Sequence, residues 1–141
     1  KNIVVKYQRR PFILRPERKG LEFWPDVLRK LGCSRGDPSW VDSFIPGMKA
    51  KGRQLGINFE FDTMVGNSLD SLRLLVWAET LGIEGKQEEL AEVLGAGHFE
   101  QKKSVGDHAA LLEACESAGL ERAEAKKILE TGAFKSEVLE R

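Results

Sequence analysis

The stretch Val65-Gly66-Asn67-Ser68-Leu69-Asp70-Ser71-Leu72-Arg73-Leu74-Leu75-Val76-Trp77-Ala78 constrains the fold more than any other, joining a strong helix start to the most apolar helix of the chain. Asn67 is suited to the N-cap, since its side-chain oxygen can accept from the free N–H groups of the first turn. Asp70, three residues later, can reach back to the cap and face the positive helix end. Leu69, Leu72, Leu75 and Val76 recur at spacings of three and four and predict the buried stripe. Gly82, after Leu81, is the expected stop. The pattern is that of a capped central core helix.

A chain of 141 residues, 41% hydrophobic and 31% charged, is one domain's worth of sequence and can bury a core around that helix. The same composition excludes a disordered chain. No apolar run approaches a membrane span, and no secretory signal pattern is present.

Along the chain, Ile3-Val4-Val5 with Tyr7 predicts a β-strand ended by Pro11. A strand this apolar is an aggregation liability unless something pairs with it. A loop rich in Pro, Arg and Gly then leads to a helix over residues 23–31, with Trp24, Val27, Leu28 and Leu31 inward and Gly32 as its stop. Asp37 is expected to cap the next helix, with Pro38 at its first position and Trp40, Val41, Phe44 and Ile45 on its apolar face. Pro46-Gly47 predicts a break or kink, with a second part over residues 48–55. Ile57, Phe59 and Phe61 alternate with polar residues and predict an extended connector with one face on the core. After the central helix, further helices are predicted over residues 86–99, 108–117 and 121–131. Asp107 caps the second of these, and another turn starts at Lys135. The reading is mainly α, with no internal repeat.

Net charge is zero, yet residues 1–36 hold 10 Lys/Arg against 3 Asp/Glu and residues 37–141 hold 12 against 19, a split of +7 and −7. A basic segment of this kind suits an anion, RNA or an acidic partner, or folds onto the acidic remainder. The lack of a basic–aromatic stacking pattern argues against nucleic acid.

The catalytic search is mostly negative. Cys33 and Cys115 are far apart and neither belongs to a Cys-x-x-Cys pair. Cys115 shares a stripe with Leu111, Leu112 and Ala118 and reads as a small core residue, while Cys33 is expected near the surface. Two lone thiols fit a reducing compartment, the cytoplasm or an organellar matrix. His98 and His108 lack partners at metal-ligand spacing, so no metal site is expected. Ser68 and Ser71 have no triad partners, and Gly95-Ala96-Gly97 lacks the Lys-Ser/Thr of a phosphate loop. Trp24, Trp40 and Trp77 sit on apolar stripes and read as core. The polar set that stands out is Asn67, Asp70 and Arg73. It either caps the helix and forms an ion pair three residues apart, or presents a helix N-terminus to an anionic group.

Gly66-Asn67-Ser68-Leu69-Asp70-Ser71, followed by Arg73-Leu74, resembles the start of the central helix of DsbA-like thioredoxin-fold proteins. The resemblance is strongest to the cytosolic FrnE-like branch, related to 2-hydroxychromene-2-carboxylate isomerases and kappa-class glutathione transferases. Leu72 stands where members often carry His. Three more stretches match in order: Arg10-Pro11-Phe12-Ile13-Leu14-Arg15-Pro16, Leu55-Gly56-Ile57-Asn58-Phe59-Glu60-Phe61, and His98-Phe99-Glu100-Gln101 with Val105-Gly106-Asp107. The family's Cys-x-x-Cys helix precedes the strand ending in Pro-Phe, and its cis-proline loop follows the segment corresponding to Glu137-Val138-Leu139. The resemblance therefore implies the helical insertion domain of a DsbA-like α/β thioredoxin fold over residues 17–141, preceded by one strand of an incomplete sheet in residues 1–16.

By the same resemblance, Asn67, Asp70 and Arg73 overhang a thioredoxin-like active site and face a thiol or disulfide substrate. The function implied is part of a thiol–disulfide oxidoreductase whose catalytic cysteines lie outside this chain. Two alternatives stand beside it: a glutathione-dependent isomerase or transferase, the one reading that brings in a cofactor, and a non-catalytic adaptor subunit whose partner protein completes the sheet.

Overall fold

The structure, a computed structural model, describes residues 2–5 and 8–140. Its elements follow in the order β1 (Glu22–Phe23), α1 (Trp24–Ser34), α2 (Trp40–Gln54), β2 (Met64–Val65), α3 (Leu69–Thr80), α4 (Lys86–Glu100), α5 (His108–Ser117), α6 (Arg122–Glu130) and α7 (Lys135–Leu139). The apolar α3 is covered by α4, α6 and α7, while α5 closes against α4 and α6. Leu74, Leu90, Leu111 and Cys115 are the largest side chains fully withdrawn from water, one or two from each of the three helices that meet there. Each such leucine contributes about 1.5–3 kcal/mol of transfer free energy.

A second, smaller core holds α1 and α2 to the 57–61 connector: Leu28, Val41 and Phe61 at its centre, with Trp24, Trp40, Phe44 and Phe59 around them. Trp40 stacks on Phe44 with ring centres 4.3 Å apart. Gly52 makes room for the connector, since a Cβ there would stand 2.5 Å from Cδ2 of Phe59 and 2.6 Å from the Ile57 carbonyl oxygen.

The expected helices over residues 86–99, 108–117, 121–131 and from Lys135 all form, within a residue or two of their predicted ends. Four expectations are corrected. From α3, Leu74, Trp77 and Ala78 enter the main core, and of the expected stripe Val76 is buried while Leu69, Leu72 and Leu75 are only half-buried. The helix is apolar nearly all round, so periodicity could not say which side meets the larger neighbour. α2 runs continuously through Pro46; Asp42, whose carbonyl loses its partner, is exposed and water can serve it. α2 also begins two residues later than expected, because Asp37 accepts from the Ser39 N–H at 3.1 Å and from its hydroxyl, closing a turn ahead of the helix. Gly32 does not stop α1 but lies buried inside it, where a Cβ would stand 2.6 Å from the Asp37 carbonyl; the chain turns at Gly36, with φ of 80°.

The strand expected at Ile3-Val4-Val5 has no ladder in the described residues, where Ile3 is 86% exposed, and Tyr7 lies outside them. Among the described residues the one sheet is unforeseen: β1 and β2 pair antiparallel, Glu22 opposite Val65 and Phe23 opposite Met64. Two-residue strands carry no alternation to read. This small sheet matters because it draws the start of α1 to the start of α3.

Candidate functional site at the start of the central helix

Stretches far apart in the chain converge where α3 begins. Asn67 ties two of them together: its Oδ1 accepts the Leu69 N–H at 2.8 Å, and its Nδ2 donates to the carbonyls of Pro16 and Arg18, each at 3.2 Å. The cap predicted for Asn67 is thus real, though it acts one residue before Ser68, the first flanking residue of the helix. Gly66 and Gly106 meet backbone to backbone, so closely that a Cβ on either would lie 2.8 Å from the other's Cα. The 57–61 connector is tied to the end of α4 by the Asn58 N–H on Glu100 at 2.9 Å and the Glu60 N–H on the Phe99 carbonyl at 2.7 Å.

Asp70 does not reach back to the cap as expected. It accepts from Arg73 Nη1 at 2.8 Å and stands 2.6 Å from Nε2 of His108 at the start of α5. Partial burial alone would raise its pKa, but the hydrogen bonds from His108 and Arg73, with the charge of each, outweigh it and hold the carboxyl below its usual value. Arg73 is 4% exposed and its remaining donors are committed: Nε to the Ala133 carbonyl at 2.7 Å, Nη2 to the carbonyls of Ile128 and Thr131. Of the three residues singled out in the sequence, Asn67 and Arg73 are therefore bound up in the scaffold, and Asp70, with His108, is the part nearest solvent.

Beside Gly66 and Ser68 opens a pocket of about 290 Å³, floored by Trp24, Leu31, Val65, Val105 and His98 and bordered by Arg15 and Arg18. His98 stacks on Trp24 with ring centres 4.8 Å apart. Burial pushes its pKa down, offset in part by the Lys103 backbone. Trp24, expected as core first, both packs on Phe61 and lines this pocket. His98, His108, Arg15 and Arg18 were not proposed as functional from sequence. Only the fold brings His98 to Arg15 and Arg18, and His108 to Asp70. A more enclosed cavity of about 230 Å³ between α4 and α5 has Lys103 as its single titratable lining residue and reads as a packing gap.

The described residues hold no His/Cys/Asp/Glu group able to bind a metal. Cys115 is fully buried, and burial pushes its thiol up to about 11, so it is not a nucleophile at neutral pH. Cys33 is exposed, as expected. Among the described residues, no helix is long and apolar enough to cross a membrane.

The helical bundle built around this central helix is the architecture that matches in comparison with known proteins. The family model for the DSBA-like thioredoxin domain matches residues 7–141, and the chain belongs to that family. The fold is similar to the crystal structure of a probable DsbA oxidoreductase from Streptomyces coelicolor, with a TM-score of 0.78 and 26% identity over 93% of this chain. The chain spans 56% of that protein's length. No curated protein matches significantly. The observed helices are those of the helical domain of a DsbA-like thioredoxin fold.

Proposed function

We propose that this chain forms the helical domain of a FrnE-like thiol–disulfide oxidoreductase, with the attacking cysteines outside residues 1–141. The carrying observation is the convergence at the start of α3 of stretches that resemble the family: Pro16, Asn67 and Gly106 are joined there through side-chain and backbone contacts. In this reading residues 17–141 overhang a thioredoxin-like active site. Residues 1–16 supply a strand to its sheet, in keeping with the exposure of Ile3, Val4 and Val5, at 86%, 80% and 77%.

The chemistry is exchange: a thiolate attacks one sulfur of a disulfide, forms a mixed disulfide and expels the other sulfur as thiolate, and a second thiolate then releases the product. This chain's part is to bind and orient. Asn67 and Arg73 hold α3 in place, and Asp70 with His108 meets the substrate at the helix start.

The test is reduction of insulin disulfides by dithiothreitol in the presence of the natural full-length protein. Catalysis is expected. The His108→Gln variant should slow it about two- to fivefold with unchanged melting, as fits loss of one exposed polar contact. A full-length protein that neither reduces nor oxidises any dithiol substrate would overturn the proposal. The exposed 3–5 segment would then favour an adaptor whose partner completes the sheet.

A further inference from the structure

The gap between α4 and α5 holds no group that could do chemistry, yet at about 230 Å³ it is large enough to hold a molecule. An engineered apolar cavity of about 150 Å³ takes up benzene, so this one has room for about six to nine non-hydrogen atoms. The gap exists because the two helices face each other with small side chains. Ala96 and Gly97 do so from α4, and Ala110, Ala114 and Ser117 from α5, at spacings of four and three that put them on one face. Leu94 and Leu111, both members of the main core, line it as well.

Gly97 is the informative residue. Glycine in a helix interior gives up more backbone freedom on folding than any other residue. Gly52 and Gly106 are explained by neighbours that come too close for a Cβ. At Gly97 a Cβ would stand 3.5 Å from Cβ of Lys103 and 3.6 Å from its Cδ, which is ordinary contact. Close packing does not call for glycine at this position, and what the missing side chain leaves is room in the gap.

The polar groups set the kind of molecule that fits. Lys103, the one titratable lining residue, is paired with Glu113 at 3.0 Å, so a charged ligand finds no partner. Ser104 lines the gap and is only 7% exposed. Its oxygen accepts the Gly106 N–H at 3.2 Å, while its own proton meets no acceptor among the described residues. A buried donor without an acceptor is costly, and a carbonyl oxygen held in the gap would supply one.

We propose that this gap binds a small uncharged aliphatic carbonyl compound, its hydrocarbon part against Leu94 and Leu111 and its oxygen accepting from Ser104. The site needs no cysteine and goes beyond the thiol exchange proposed above.

The test is titration of the natural full-length protein with cyclohexanone, cyclohexane and cyclohexanecarboxylate, followed by amide chemical shifts. The first two should move the signals of Gly97, Ser104 and Ala114, and the carboxylate should bind about tenfold more weakly than the ketone or worse. Ser104→Ala should weaken cyclohexanone about fivefold and leave cyclohexane unchanged. Ala114→Leu, which fills the gap from α5, should abolish the shifts with both. If that variant fails to fold, Gly97→Ala takes its place and should weaken both compounds about threefold or more. No shift with cyclohexanone would leave a plain packing gap and overturn the site. So would carboxylate binding as tight as the ketone's, an equal loss of both neutral compounds in Ser104→Ala, or undiminished binding in the folded filling variant. The insulin assay reads none of these shifts, so each proposal can fail without the other.

Discussion

Arg73→Leu should destabilise the fold by about 3 kcal/mol, close to the cost of breaking a buried, hydrogen-bonded charge. The magnitude follows from what the guanidinium holds. It is 4% exposed and donates to the carbonyls of Ile128, Thr131 and Ala133, at the C-terminal end of α6 and in the turn to α7, and to Asp70. These carbonyls lie at a helix end, where acceptors run short of intrahelical partners; Ile128 keeps one long bond from the Thr131 N–H at 3.3 Å, and one side chain from α3 serves all three. Stranding a buried acceptor costs about 1–3 kcal/mol, and the value for the set falls at the lower end per group because Thr131 is exposed and water can replace part of the loss. The loss to Asp70 adds little, since its side chain is 29% exposed.

The assay is urea unfolding followed by far-ultraviolet circular dichroism, with Arg73→Lys, which keeps the charge but not the fork, as the intermediate case. A loss below about 1 kcal/mol for Arg73→Leu would refute the claim that this side chain ties α3 to α6 and α7. If Arg73 instead served substrate directly, Arg73→Lys would raise KM and leave the urea midpoint in place.

Other consequences follow from the same geometry. Acid should weaken the fold in two steps. His98 is held below its usual 6.5, so just under that pH the unfolded chain binds more protons than the folded one and stability falls as pH drops. Asp70 is held below 3.8, so its contribution is full above that value and is lost as pH falls through the lower folded value. Thermal melts across pH should show the upper step vanish in His98→Gln and the lower one shrink in Asp70→Asn, with Glu88, held below its usual value by its hydrogen bond from Arg9, left to titrate. Gly106→Ala should cost about 1–3 kcal/mol in urea unfolding, because its Cβ would stand 2.8 Å from the Gly66 Cα and the two loops must separate. Iodoacetamide should modify Cys33 in the native protein and Cys115 only after unfolding, as peptide mass mapping would show.

Helices with two- or three-residue apolar stripes and a capping residue were legible in the sequence almost to their ends: Asp107 and the Leu111–Cys115 stripe placed α5, and Ala125, Ile128 and Leu129 placed the buried side of α6. What failed depended on contacts from elsewhere. The face of α3 was misassigned because Leu72 and Leu75 are as apolar as Leu74, and only the positions of α4 and α6 decide between them. Asn67 was found as a cap, but its two bonds to Pro16 and Arg18 cross about fifty residues of chain and leave no local trace. Arg73 looked like half of a surface ion pair. Its burial under α6 and α7 turned it into a fastener. The pocket at Trp24 and His98 was invisible for the same reason: a stripe of apolar spacing says that Trp24 packs, not that it also lines a pocket beside His98.

The central claim is that these helices serve a redox centre whose cysteines lie outside residues 1–141, and the most direct measurement is the intact mass of the natural protein with and without thiol alkylation after reduction. The account predicts a mass above the 15.8 kDa of this sequence and at least two alkylatable thiols beyond Cys33 and Cys115. A natural protein of 15.8 kDa with those two thiols alone would contradict it and leave a binding or structural protein.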